Sequence, residues 1–290
     1  MSFLSFRQLS SKKKGILCII MSAFCFALMS MFVRLSGDLP FIQKGFFRNI
    51  VAFFFSFFII LKRKDSFSIP KGNLKYLIAR STFGTLGLLC NFYAVDHLVL
   101  SDANMLNKMS PFFAILFSFF ILKETLSLPQ GTAVCLAFLG SLFIIKPSFS
   151  SMEFFPAAIG FLGGMSAGIA YTFVRLLGMR GQNGPFIVFF FSAFSCLVLL
   201  PFLLFHFVPM TPSQFFCLLG AGLSAAGGQF SITAAYTHAP AREISVYDYS
   251  QILFSAILGF LIFGQVPDGY SILGYLIICS MAVWMFFYQK

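Results

Sequence analysis

Charge is what this sequence has least of. Asp, Glu, Lys and Arg make up 10% of its 290 residues, against about a quarter in an ordinary soluble domain. With 59% hydrophobic residues, a water-soluble fold would have too little polar surface to cover itself. A soluble globular protein is therefore excluded, and lipid is the expected solvent for most of the chain. Acidic residues are scarcer still: 9 Asp and Glu face 20 Lys and Arg, a net charge of +11. That surplus does not point to nucleic acid. The cations sit in short runs between apolar segments (Lys12–Lys14, Lys62-Arg63-Lys64, then Lys71 and Lys75), as in cytoplasmic loops under the positive-inside rule.

Other absences exclude other functions. The seven cysteines, Cys18, Cys25, Cys90, Cys135, Cys196, Cys217 and Cys279, lie in apolar runs and form no CxxC pair. Their number is odd, so neither a disulfide framework nor a zinc site is expected, and they read as packing residues. His97, His206 and His238 are scattered, so no metal and no cofactor is expected. No GxSxG, HExxH or DxD-type motif stands out, which leaves a membrane-embedded enzyme acting on a lipid or lipid-linked substrate as the alternative rather than the main reading. No long polar stretch suggests a soluble sensory domain.

What is present is a succession of apolar runs. A spanning helix needs about 20 apolar residues, so the chain has room for about ten spans with their connections. Turn and charge signals place them at 15–36, 41–61, 74–95, 98–122, 128–146, 154–176, 185–207, 213–236, 243–263 and 269–287. The basic start followed by Gly15–Leu35 resembles a signal peptide, but the run is too long for a signal core and no small-x-small site follows it. It is read as a retained first span. With both termini cytoplasmic, the inner loops hold Arg7, Lys12–Lys14, Lys62, Arg63, Lys64, Lys71, Lys75, Lys123, Arg180, Arg242 and Lys290, and the outer loops hold Lys146 and Lys44. The fold class expected is an all-α integral membrane protein in the cytoplasmic membrane.

The chain also repeats itself. Phe32-Val33-Arg34-Leu35 recurs as Phe173-Val174-Arg175-Leu176, an offset of 175 − 34 = 141. The same offset aligns Ser101-Asp102-Ala103 with Arg242-Glu243-Ile244 and Leu122-Lys123-Glu124 with Phe263-Gly264-Gln265. Residues 1–150 and 151–290 would then be two five-helix halves. An odd helix number turns the second half upside down, the inverted-repeat plan of many secondary transporters, with a site between the halves near the midplane.

Ionisable residues inside a bilayer are costly and need a reason. Arg34 and Arg175 lie at span ends and are expected to snorkel. Arg48 and Arg80 lie deeper. Asn104, Asn107, Lys108 and Pro111 fall at i, i+3, i+4 and i+7, one face of the fourth span. That stripe must line a cavity or a polar helix seam. The offset pairs Asn107 with Asp248 and Lys108 with Tyr249, and Ser245, Asp248 and Ser255 share a face of the ninth span. Asp248 could pair with Lys108, Arg48 or Arg80, or titrate and couple transport to protons. Gln229, Ser231, Thr233 and Tyr236 add hydrogen-bonding groups in the eighth span, and Gly163-Gly164 and Gly227-Gly228 allow close helix approach.

At these residues the chain resembles the EamA family of the drug/metabolite transporter superfamily. Arg48, Asn91 to Val95, Ala103 to Phe113 and Leu122-Lys123-Glu124 resemble the first EamA unit. Gln229 to Tyr236, Ala239-Pro240, Tyr247-Asp248-Tyr249 and Gly264 to Asp268 resemble the second. Gln265 stands where the first unit has Glu124, and Ile252 where it has Pro111, so no glutamate or proline is shared there. The resemblance implies ten helices, a central cavity and alternating access without a cofactor. The function expected is a secondary transporter for a small metabolite, amino-acid-like, nucleoside-like or drug-like, with an anionic group. Arg48, Arg80 and Lys108 would neutralise the anion, Asn107, Gln229, Tyr236 and Tyr249 would line or orient it, and Asp248 would hold a substrate amine or a coupling proton. The partners expected are that substrate, a proton and membrane lipid, with no nucleic acid.

Overall fold

The computed structural model describes residues 10–64, 67–97, 106–145, 154–264 and 269–288. Within them lie ten helices: α1 Ser11–Leu35, α2 Phe41–Arg63, α3 Leu74–His97, α4 Ser110–Leu122, α5 Leu128–Ile145, α6 Phe154–Met179, α7 Gly184–Phe205, α8 Pro212–His238, α9 Ala241–Phe263 and α10 Gly269–Tyr288. Seven of them, α1, α2 and α6 to α10, are long and apolar enough to cross a membrane. The α4 and α5 helices are shorter apolar helices. The α3 helix has the length, but Arg80, Ser81, Thr82 and Thr85 dilute its apolarity. Large apolar side chains cover the outside, among them Phe58, Phe120, Phe154 and Leu197, the surface expected of a bundle solvated by lipid.

The turn and charge signals placed nearly every helix end. The fourth span differs. Regular helix begins at Ser110, after a turn at Lys108–Met109, and residues 98–105, Asn104 included, lie outside the described residues. Pro111 explains the restart, because proline fits the first helical turn, where no amide partner is needed. The Phe112 amide accordingly donates to Met109 O at 3.0 Å rather than one residue further back.

The offset of 141 reappears in the backbone. The α9 helix breaks at Tyr249, the position that corresponds to Lys108, although Ile252 occupies the proline position. Beyond the breaks, α4 ends on Lys123 with φ 55° and α9 on Gly264 with φ 64°, again 141 residues apart. Both are left-handed caps whose amides satisfy late carbonyls of the helix, Lys123 N–H on Ser118 O and Gly264 N–H on Phe260 O.

Contact registers fix the helix directions. Ser11 and Ser22 hydroxyls donate to His238 O and Gly228 O, so α1 is antiparallel to α8. Phe47 meets Phe215 and Phe55 meets Phe230, so α2 runs with α8. Gln43 bonds Val208 while Phe53 stacks on Phe189, which sets α2 against α7. Thr85 bonds Ser195 and Arg80 covers Phe191, so α3 runs with α7. Tyr76 stacks on Phe173 and Tyr93 meets Phe155, which sets α3 against α6. The α1 and α6 helices therefore run in opposite directions. The same registers gather Lys12–Lys14, Lys62-Arg63-Lys64, Lys71, Lys75, Lys123, Arg180 and Arg242 at one end of the bundle, with Arg34 and Lys44 at the other.

Small residues set the closest crossing. A Cβ on Gly164 would collide with the Leu106 carbonyl oxygen, just before the α4 break. Gly164→Ala should therefore lower the thermal midpoint of the detergent-solubilised protein, at a cost of about 1–3 kcal/mol for overpacking. Gly269→Ala, whose added methyl meets nothing within 4 Å among the described residues, should leave that midpoint unchanged.

Candidate functional site

The polar groups of the bundle meet inside it, in two clusters joined by a pair of tyrosines. The first cluster is built by α2, α3, α7 and α8. Arg80 is 2% exposed. One of its Nη2 hydrogens goes to Gln229 Oε1 at 3.1 Å, and its guanidinium lies 4.0 Å from the centre of the Phe191 ring, a cation–π contact. It fits because Gly84, one turn on, leaves room: a Cβ there would strike Arg80 Nη1. Arg48 approaches from α2, with its guanidinium 5.8 Å from the Phe26 ring centre. The Nε of each arginine is buried without a hydrogen-bond partner. Among the described residues no carboxylate lies within ion-pair distance of either arginine. The two cations repel one another, and both act on the Tyr171 hydroxyl.

The second cluster sits at the two helix breaks. Lys108 Nζ lies 3.5 Å from Asp248 Oδ2, with about a tenth of either side chain exposed, and donates to Gln251 Oε1 at 2.8 Å. Tyr249, fully buried, donates to the Lys108 carbonyl oxygen at 3.1 Å, a carbonyl that the interruption of α4 takes out of the helical ladder. Asp248 acts electrostatically on both Tyr171 and Tyr236, whose rings stack at 5.1 Å and 12°. The stacked pair lies within electrostatic reach of both clusters.

Several expectations change. Lys108 and Pro111 are separated by a turn, so the stripe of Asn104, Asn107, Lys108 and Pro111 is no continuous helical face. Asn107 is half-buried and makes no described hydrogen bond to the other candidates. Ser255 is exposed, because the break at Tyr249 rotates it away from Ser245 and Asp248. The Tyr249 hydroxyl is spent on Lys108. Arg175 does not snorkel: its Nε meets Glu124 Oε1 at 3.2 Å and its Nη1 donates to Thr237 O. Sequence reasoning missed Tyr171, Gln251, Phe191 and Phe26. A hydroxyl four residues from Arg175 and an amide three from Asp248 were visible, but nothing local showed which way they point. A cleft of about 590 Å³ lined by Leu253, Ala256, Ile257, Phe260, Leu261 and Tyr275 is apolar and lies away from these groups.

An oily shell around an inward-facing, partly unmatched set of charges defines a polytopic membrane transporter. The descriptors of the EamA-like transporter family match residues 13–146 and 155–287. The chain belongs to that family, as two EamA repeats. It is 34% identical over 265 residues to the pseudopaline exporter CntI of Pseudomonas aeruginosa, covering 90% of this chain and 92% of the relative. It is 28% identical to an uncharacterized transporter of Helicobacter pylori (92% of each chain), and 27% identical to human solute carrier family 35 member G1 (93% and 78%). A solved structure at 15% identity superposes with a TM-score of 0.79 over 93% of this chain and 95% of its own, which shows a shared fold. The function is transport, not enzymatic catalysis.

Taking one partner from a buried ion pair strands a charge, at about 3–5 kcal/mol. Lys108→Met or Asp248→Leu should each lower the thermal midpoint in detergent. The double variant should recover most of the loss, and additive losses would show that the pair is not coupled.

Proposed function

We propose that this chain is a secondary transporter that carries a small metabolite with an anionic group across the cytoplasmic membrane by alternating access. Its halves would be residues 1–150 and 151–290, related as inverted repeats. The opposite directions of α1 and α6, and the breaks and caps that recur at an offset of 141, support that arrangement. The one-sided gathering of Lys and Arg supports both termini being cytoplasmic.

One observation carries the substrate reading. Arg48 and Arg80 stand in the bundle interior with buried, unpartnered Nε groups and no neighbouring carboxylate among the described residues. Buried charge is tolerated when it is paired and hydrogen-bonded. Lys108 already has Asp248, so it is a weaker candidate for the anion than sequence alone suggests. A substrate carboxylate or similar oxyanion supplies what the arginines lack. Asn107, Gln229 and Tyr236 would orient it. The relative named an exporter makes export the direction to test first.

Proton coupling is assigned to Asp248. Protonating it would dissolve the pair with Lys108, and that pair joins the two helix breaks. A local charge change would thus act where α4 and α9 meet.

Purified protein in liposomes, given a metabolite panel with and without a proton gradient, tests both parts. Arg48→Gln and Arg80→Gln should each reduce uptake of the transported anion by at least roughly tenfold, the scale of one lost charge-assisted contact. Unchanged uptake in both would remove the anion site. Asp248→Asn should leave exchange in place and abolish acceleration by the gradient. Gradient-driven uptake by that variant would dispose of Asp248 as the proton carrier.

A further inference from the structure

Resting on the anion-site reading above, we infer that the substrate is a dianion with two oxyanion groups, or one doubly charged one, and that Arg48 is the residue selecting it over monoanions. The charge count leads there. The interior site holds Arg48, Arg80 and Lys108 against Asp248, so 3 − 1 = +2 remains. Lys108 and Asp248 cancel each other at 3.5 Å. The residual charge is therefore local to the two guanidiniums, which repel one another. A monoanion would leave one positive charge in a low-dielectric interior, where an unmatched charge is costly.

The donor count agrees. A guanidinium offers five N–H groups in a planar fork that matches one carboxylate edge or one phosphate edge. Gln229 takes a single Nη2 hydrogen of Arg80. Phe191 covers one face of that group, and the group's Nε–H is buried and unused. Arg48 donates to no described residue, its Nε–H is likewise unused, and the residue keeps part of its surface accessible. Two guanidiniums thus keep unused donors, and one carboxylate cannot take both of them edge-on.

Dicarboxylates and phosphate monoesters share the required chemistry. The geometry of the forks separates them: two separate carboxylates take one fork each, whereas a phosphate must be reached by both. Arg48→Lys keeps the charge and loses the fork, so it isolates the geometric part.

The test measures stabilisation of the purified, detergent-solubilised protein, and inhibition of uptake in liposomes, by matched pairs. Four- to six-carbon dicarboxylates are compared with their monoamides, and phosphate monoesters with their methyl diesters, each pair nearly equal in size and differing by one charge. The expected result is at least roughly tenfold tighter apparent binding of the dianion in one of the two series, the scale of one charge-assisted fork. Arg48→Gln should erase that preference by weakening the dianion at least roughly tenfold more than the monoanion, and Arg48→Lys should retain an intermediate preference. Which series responds identifies the class. Equal affinity for both members of every pair in the unmodified protein would overturn the dianion inference and leave an anion carrier standing. No effect of any anion would overturn the carrier's anion site as well. The comparison in the unmodified protein needs no variant to fold.

Discussion

Everything about this site follows from the cost of keeping charge in a low-dielectric interior. In lipid, an ion cannot be left to water, so each must be paired, snorkelled or matched by something that binds. The chain treats its cations in different ways. The basic loops sit at one end of the bundle, in water. Arg175 takes Glu124 and the Thr237 carbonyl, and Lys108 takes Asp248 and Gln251. Arg48 and Arg80 take aromatic faces and, for Arg80, a neutral amide. Cation–π contacts and an amide oxygen offset part of the desolvation but bring no countercharge. The contrast between satisfied and unsatisfied cations within one bundle is what singles out these two.

The local sequence supports this pattern at small scale. Gly84 is the clearest case: it lies one turn from Arg80 and leaves the space that the guanidinium needs. The Phe191 ring and the Gln229 amide come from α7 and α8, so Arg80, on α3, is held by the other half of the chain. A substrate bound there would touch both halves too, as a carrier that rocks one half against the other requires.

Most of the fold was legible because hydropathy, glycine, proline and lysine signals are local. The ends of α2, α5 and α10 fall within two residues of where apolar runs meet turn or charge signals. The site was only half legible. Arg48, Arg80, Lys108 and Asp248 announced themselves by being ionisable within apolar runs. Their partners did not, since a partner is set by helix rotation and tertiary contact. Lys108 with Asp248 was one of three open pairings, and nothing local marked Tyr171. The polar stripe misled because 3.6-residue periodicity assumes an unbroken helix, and Pro111 interrupts this one. Arg175 misled for a related reason: snorkelling is the default when no acid is near in sequence, yet Glu124 lies 51 residues away.

The hydrogen bond from Tyr249 to the Lys108 carbonyl joins two positions 141 residues apart, the offset of the repeat itself. Residues related by a twofold operation can touch only close to its axis. If the halves are inverted repeats, this contact lies on that axis, and so do the two helix breaks and the ion pair beside them. Such a place is equally distant from both membrane faces by symmetry, so a rearrangement there biases neither side in advance. What breaks the balance is chemistry that is not duplicated. Lysine faces tyrosine, Asn107 corresponds to Asp248, and Glu124 corresponds to Gln265. On that arrangement the backbone would keep the symmetry while the side chains abandon it, two access states would not need equal energy, and the ionic groups at the axis would be the place where that difference is set.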